Sequence, residues 1–264
     1  MSKKERLDVT MVNLGLSESR NQAQRVIMAG QVQVNGVVMI KASEKVFEED
    51  VITVDSGPQF VSRGGEKLQG ALDAFNMHDF SGKICADVGA STGGFTDCML
   101  QHGAKKVYAI DVGYGILHWK MRNDERVVCM ERTNARYTEK LDDEIDFISI
   151  DVSFISLDVI LPVVKNWLNK ETGEIVALVK PQFEAGKEIS AKGKGVIRDP
   201  AVHKTVLTNT LTMAAAQGLR IKGLTQSPIQ GPKGNKEFLL YCSIVAGEQP
   251  DIGKLIRKAL LSSK

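Results

Sequence analysis

Four apolar runs that each stop on a charged residue constrain this chain more than any other feature. Lys83-Ile84-Cys85-Ala86 leads into Asp87, Tyr108-Ala109-Ile110 into Asp111, Ile145-Asp146-Phe147-Ile148-Ser149-Ile150 into Asp151, and Glu174-Ile175-Val176-Ala177-Leu178-Val179 into Lys180. Short apolar runs of this kind read as buried strands, and a charge closing each is not a casual surface choice. Helical patterns over 68–75, 157–168 and 201–216 alternate with them, and 221–226 and 237–244 read as two further strands. The alternation from 84 to 245 predicts an α/β, doubly wound, mostly parallel sheet whose last strands form an antiparallel edge. In such sheets ligands lie outside the carboxyl ends of the strands, so Asp87, Asp111, Asp151 and Lys180 are expected to line one crevice.

The first run opens into Asp87-Val88-Gly89-Ala90-Ser91-Thr92-Gly93-Gly94-Phe95-Thr96-Asp97. A strand, a glycine-rich turn and a helix start, read here over 95–100, make a ligand-binding device. Glycine lets backbone approach a ligand with no Cβ between, and a helix end presents free N–H groups. The glycines fall as G-x-x-x-G-G rather than the G-x-G-x-x-G of dinucleotide folds, which disfavours a nicotinamide dehydrogenase. Their spacing suits an adenosyl amino acid, which has no pyrophosphate to cradle. Asp111 follows Gly89 by 22 residues, near the interval of about 20 at which an acidic side chain meets a ribose hydroxyl pair. Asp87, Gly89, Ala90, Ser91, Gly93, Gly94, Phe95, Asp111 and Val112 are the cofactor-binding candidates. The bland alternative is a packing turn in an ordinary α/β domain.

The 264 residues, 43% hydrophobic and 25% charged, are those of a globular protein with one large and one small domain. A net charge of +2 announces no nucleic acid, so such a partner has to be argued from local patches. The start, MSKKERLDVT, lacks the apolar core of a signal peptide, and no apolar run reaches bilayer-spanning length; a cytoplasmic protein with no membrane partner is expected. Cys85, Cys98, Cys129 and Cys242 include no C-x-x-C, the histidines have no metal-ligand spacing, and no metal is expected.

The first sixty residues form a separate pattern. Leu7, Met11, Val12 and Leu14 mark a helix over 6–14 that Gly15 ends, and Ser17 can cap a second over 18–29 that Gly30 ends. Gln31 to Val38 alternates and turns on Asn35-Gly36, the strongest short hairpin signal. Charge is segregated, net +3 over residues 1–43 and −4 over 44–55. Arg20 and Arg25, with Ser19 and Asn35, either face a phosphate backbone or form a solvated helix face. Residues 5 to about 55 resemble the RNA-binding module named for ribosomal protein S four, which grips structured RNA by shape and phosphate contact. On that resemblance Arg6 joins Ser19, Arg20, Arg25 and Asn35 as an RNA-binding candidate.

Ser56-Gly57-Pro58 breaks the strand pattern, which places a small domain at 1–58, a linker at 59–67 and a second domain at 68–264. Lys67 stands at the entry of the second domain, where a lysine is exposed and idle by default. Asp151-Val152-Ser153-Phe154 is neither the Pro-Pro-aromatic tetrad of exocyclic-nitrogen methylation nor a nucleophilic cysteine loop, which leaves an oxygen as the atom to be alkylated. A ribose hydroxyl must lose its proton as it attacks, and two lysines near one carboxylate fit that need. Residues 182–199 have no periodicity but hold Lys187, Lys192, Lys194 and Arg198; they read as a mobile basic loop that clamps RNA or as a solvated connection.

Lys67, Asp151, Lys180 and Glu237 look like the lysine-aspartate-lysine-glutamate tetrad of FtsJ-type ribose 2′-O-methyltransferases. The whole chain resembles the TlyA family of ribosomal RNA methyltransferases, also called hemolysin A. The matching runs are Ser62-Arg63-Gly64-Gly65-Glu66-Lys67-Leu68, Arg132-Thr133-Asn134, Asp151 to Leu157, Val179 to Glu184 and Gly231 to Glu237. The resemblance implies a Rossmann-like domain with a mostly parallel seven-stranded sheet, preceded by a small α+β RNA-binding domain. It implies S-adenosyl-L-methionine as cofactor, ribosomal RNA or ribosomal subunits as partner, and cytidine as the base. Lys180 would take the hydroxyl proton, Asp151 would orient it beside the methionine part of the cofactor, Lys67 and Glu237 would position the ribose, and Asn134 would lie by the adenine. Glu237 also fits an ordinary edge-strand residue, and Asn134 a turn residue. Arg63, Lys192 and Lys194 complete the RNA-binding candidates. Two rivals stand beside this: a pore-forming cytolysin, which needs membrane segments not found in the sequence, and an RNA-binding protein with an inactive transferase fold.

Overall fold

The computed structural model describes residues 4–55 and 57–261, and the chain divides into two compact units between Gln59 and Phe60. Ser56, first residue of the expected break, lies outside the described residues. In the amino-terminal unit β1 (Glu5–Arg6) pairs with β4 (Lys45–Val46), and β2 (Val32–Val34) lies between β3 (Val37–Met39) and β5 (Ile52–Val54), all antiparallel. Helices α1 (Leu7–Asn13) and α2 (Arg20–Met28) cover them, and Leu7, Met11, Ala23, Ile27, Val32, Val34 and Val46 form the core.

The cap of α2 is Ser19, whose hydroxyl accepts from the Gln22 N–H; Ser17, expected in that role, instead donates to the Ser19 carbonyl. The hairpin turns on Asn35 at φ 51° as expected, and the Asn35 amide then donates to Asp50 at 2.8 Å and accepts from the Val51 N–H at 2.9 Å. Asp8 is fully buried, and its carboxylate is held well below the usual range by Arg6, with Gln24 and Arg20 adding further hydrogen bonds.

The second unit is one seven-stranded sheet in the order β11 (Arg220–Gln226), β12 (Phe238–Ser243), β10 (Glu174–Val179), β9 (Phe147–Ile150), β6 (Ile84–Val88), β7 (Lys106–Ile110), β8 (Val127–Met130). The last two strands form the expected antiparallel edge: β12 alone is reversed, and it lies between β10 and the outermost strand, β11. All six of its residues are buried, as an inner strand requires, whereas β11 is only partly buried and takes the edge. Period-two alternation sends Ala86 and Val88 into the core under α6 (Leu157–Val164), α9 (Pro200–Ala216) and α10 (Ile252–Leu261), and Cys85 into the opposite core under α3 (Gly64–Phe75), α4 (Gly94–Gln101) and the short α5 (Trp119–Arg122). The helix expected to run to residue 168 gives way at Lys165 to a single 3₁₀ turn, three residues after Pro162.

The stretch expected as a linker, 59–67, belongs to the second unit from Phe60 onward. Phe60 is buried, the Val61 N–H donates to Asp97 at 2.9 Å, and α3 begins at Gly64, four residues before the expected start. Lys67 therefore rides on a helix and is 8% exposed, where an idle lysine would be in water.

Candidate active site

The reversal of β12 decides the site. Antiparallel pairing sets Phe238 opposite Val179, so the amino end of β12 meets the carboxyl end of β10 and Glu237 arrives beside Lys180. Asp151 follows β9, the parallel neighbour of β10, and α3 brings Lys67 in from above. The Lys67 ammonium donates to Glu237 Oε2 at 2.7 Å and stands 3.9 Å from Asp151 Oδ2. The Lys180 Nζ lies 2.5 Å from Asp151 Oδ1 and donates to Ser153 Oγ at 3.0 Å, while Gln182 Nε2 donates to Glu237 Oε1 at 3.2 Å. Amines and carboxylates alternate along this line, so each buried charge has an opposite neighbour and the desolvation cost of burial is offset locally. Glu237 is only 1% exposed and precedes an inner strand, so the alternative of an ordinary edge-strand residue does not hold.

Two cavities open on this line from either side. One, of about 400 Å³, is lined by the Gly89–Thr92 turn, Asp87, Gly94, Phe95, Asp151, Lys67, Arg63, Ser62 and the 229–232 segment. The other, of about 720 Å³, is lined by Lys180, Glu237, Ser153, Phe154, Gln182, Lys194, Asn235 and neighbours. Lys67 and Asp151 thus face the first cavity, and Lys180 and Glu237 the second. The wall of the first is as bare as it can be: Gly89 has φ +85°, and a Cβ there would fall 2.4 Å from the Asp151 carbonyl oxygen, so no other residue fits the turn.

Asp87 lies beneath this turn with no exposed surface. Burial pushes its carboxyl up to about 7, against the pull of hydrogen bonds from Thr96 at 2.7 and 2.9 Å and Ser149 at 3.1 Å. It clamps β6 to the first turn of α4. Asp111 accepts the Ser91 N–H at 2.8 Å on one oxygen and the Gly113 N–H at 2.7 Å on the other, which leaves one lone pair on each for a further donor. Gly93, Asp111, Val112 and Asn134 do not line either cavity. Gly93 packs on Met121, Val112 is exposed, and the exposed Asn134 accepts the Arg136 N–H, the turn role its sequence also allowed.

The RNA-binding candidates are divided between the two units. Arg6 and Arg20 turn to Asp8 while keeping 41% and 54% of their side chains exposed; Ser19 caps α2, and Asn35 closes the hairpin. Arg25, Arg63 and Lys194 are exposed, Arg63 beside the first cavity and Lys194 on the second; the Lys192 side chain is outside what is described. The expected structureless loop, 182–199, instead holds most of α7 (Pro181–Glu184) and all of α8 (Lys187–Lys192). Sequence reasoning missed Ser149, Ser153, Gln182 and Asn235. Ser149 had left a signal, a hydroxyl inside an otherwise apolar strand.

An FtsJ-like methyltransferase model matches residues 60–243, and an S4 domain model matches residues 5–52. The chain belongs to the FtsJ-like methyltransferase family. The methyltransferase is 52% identical to a candidate rRNA methyltransferase, YqxC, of Bacillus subtilis, over 91% of this chain and 86% of that one. It is 42% identical to the 16S/23S rRNA (cytidine-2′-O)-methyltransferase TlyA of Mycobacterium tuberculosis, over 91% and 90%. The solved structure of a candidate hemolysin from Streptococcus thermophilus, 45% identical, superposes with a TM-score of 0.74 over 99% of this chain and 96% of that one. Despite the name that relative carries, among the described residues no helix of the methyltransferase is long and apolar enough to cross a membrane.

Proposed function

We propose that this chain moves the methyl group of S-adenosylmethionine to the 2′-hydroxyl of a cytidine ribose in ribosomal RNA. The observation that carries the reading is the place of Lys67, Asp151, Lys180 and Glu237, at the boundary of two cavities. One cavity has the glycine turn suited to an adenosyl amino acid and the other is open enough for a nucleotide. The cofactor supplies an electrophilic methyl carbon on a sulfonium. Asp111, next to Ser91, would offer acceptors to the ribose hydroxyl pair, the bare backbone at Gly89 would allow close approach, and Asp151 would meet the methionine part. In the second cavity Lys180, acting as the neutral amine, would take the proton that the ribose hydroxyl loses as it is methylated. Asp151 would orient Lys180, and Lys67 with Glu237 would hold the acceptor ribose against the methyl donor. The relatives' names point to the same chemistry, with rRNA and cytidine as its target. Of the RNA-binding candidates, Arg25, Arg63 and Lys194 are exposed cations that can meet phosphate, and the amino-terminal unit is the RNA anchor.

The test is a map of 2′-O-methyl groups on rRNA from cells with and without the protein, with purified subunits and naked rRNA as substrates in vitro. The expected result is a cytidine methylated only when the protein is present. An unchanged map, with no transfer to either substrate, removes the proposal.

A further inference from the structure

The segments after β9 and β10 each carry one half of the Asp151–Lys180 pair, and a carboxylate outside the tetrad ties them together. Glu184 ends α7, the single turn that starts at Lys180: the Phe183 and Glu184 N–H groups donate to the Lys180 carbonyl at 2.9 and 3.2 Å. Its side chain then crosses to the other segment, where Oε2 accepts from Ser156 Oγ at 2.6 Å and Oε1 from the Leu157 N–H at 2.9 Å. Ser156 is the cap of α6, so Glu184 and Ser156 between them satisfy the first N–H groups of that helix. Between Asp151 and Ser156 the backbone is strained: Phe154 has φ +63°, with its ring 90% exposed and 4.9 Å from that of Phe183. A bulky residue keeps such a conformation only where its surroundings over-determine it. Glu184 is partly buried, and burial pushes its carboxyl up against the pull of Ser156 and Leu157.

We propose that Glu184 is a positioning residue: by strapping the turn after β10 to the loop after β9, it sets the separation of Lys180 and Asp151. The assignment rests on the methyl-transfer reading given above and deepens it. Lys180 spans the same gap to Asp151 and Ser153, so the strap and the reactive pair are two rungs between the same rails.

The experiment compares the full-length protein with Glu184→Gln and Glu184→Ala. A glutamine keeps both contacts, its carbonyl accepting from Leu157 and its amide donating to Ser156 Oγ; alanine keeps neither. Glu184→Ala should lower kcat on the order of tenfold or more with KM for adenosylmethionine and RNA within about twofold, and Glu184→Gln should restore kcat to within about threefold. Crystal structures should show Lys180 and Asp151 beyond about 4 Å apart in the alanine variant and in contact in the glutamine variant. The strap is overturned if Glu184→Ala turns over normally, if its loss lies equally in cofactor affinity, or if the pair keeps its distance. Should Glu184→Ala not fold, Ser156→Ala removes one rung contact, and an unchanged kcat there overturns the strap as well. If the wild-type chain methylates no rRNA, the methyl-transfer reading fails, while the Lys180–Asp151 distance in the variants still decides the strap.

Discussion

At the scale of single residues, the two lysines differ in what they hold. Lys67 is matched by the near-fully buried Glu237, while Lys180 divides its contacts between Asp151 and a serine hydroxyl on the second cavity. Lys180→Ala is expected to lower the single-turnover rate of methyl transfer by about 10²- to 10⁴-fold while calorimetry finds adenosylmethionine affinity nearly intact. Normal turnover by that variant would remove Lys180 from its role. Asp111→Ala should do the reverse, raising the cofactor dissociation constant on the order of tenfold with little change in kcat at saturation. Asp87 makes a pH prediction. Its folded value of about 7 lies above the ordinary carboxylate value that the unfolded chain has. Its contribution to stability is therefore fully present in acid and is lost as pH rises through about 7, because the unfolded chain gives up its proton first. Urea unfolding of Asp87→Asn across this window should lack that decline, and identical pH profiles would show that Asp87 does not titrate there.

At the scale of elements, direction matters more than composition. Glu237 is at the site because β12 runs against β10; a parallel β12 would put it at the far edge of the sheet. Lys67 is at the site because α3 starts at Gly64, early enough to carry Lys67 on its first turn and bury it there. Helix caps show how finely this depends on local hydrogen bonds. Ser17 and Ser19 are equivalent by residue type, yet Ser19 has the extended backbone, φ −153°, that aims its hydroxyl at the Gln22 N–H. Ser19→Ala should cost the amino-terminal unit about 1 kcal/mol in denaturant unfolding, more than Ser17→Ala costs; the opposite ranking would reassign the cap.

At the scale of the whole molecule, two units of different chemistry share one chain, matched by the S4 domain and FtsJ-like methyltransferase families. If the amino-terminal unit anchors RNA through phosphate, Arg25→Ala should weaken binding uniformly across RNA sequences and reduce the salt slope by about one unit in a filter-binding titration. An unaltered slope would place Arg25 off the RNA. Much of the architecture was legible in the order of residues: the four charged strand ends, the glycine turn, the hairpin at Asn35 and the helix pair before it are local patterns with period two or 3.6, and local patterns survive in the sequence. The inner place of β12 and the burial of Glu237 before it, the capture of Arg20 by Asp8, the two short helices between Pro181 and Lys192 and the strap from Glu184 to Ser156 were not legible. Each depends on partners that only packing brings into reach, 12 residues apart for Arg20 and Asp8 and 28 for Glu184 and Ser156. Residue identities determined which groups were available for chemistry. The tertiary structure alone decided which were buried, paired and aimed at one another, because desolvation and hydrogen-bond geometry act through space and leave no period in the chain.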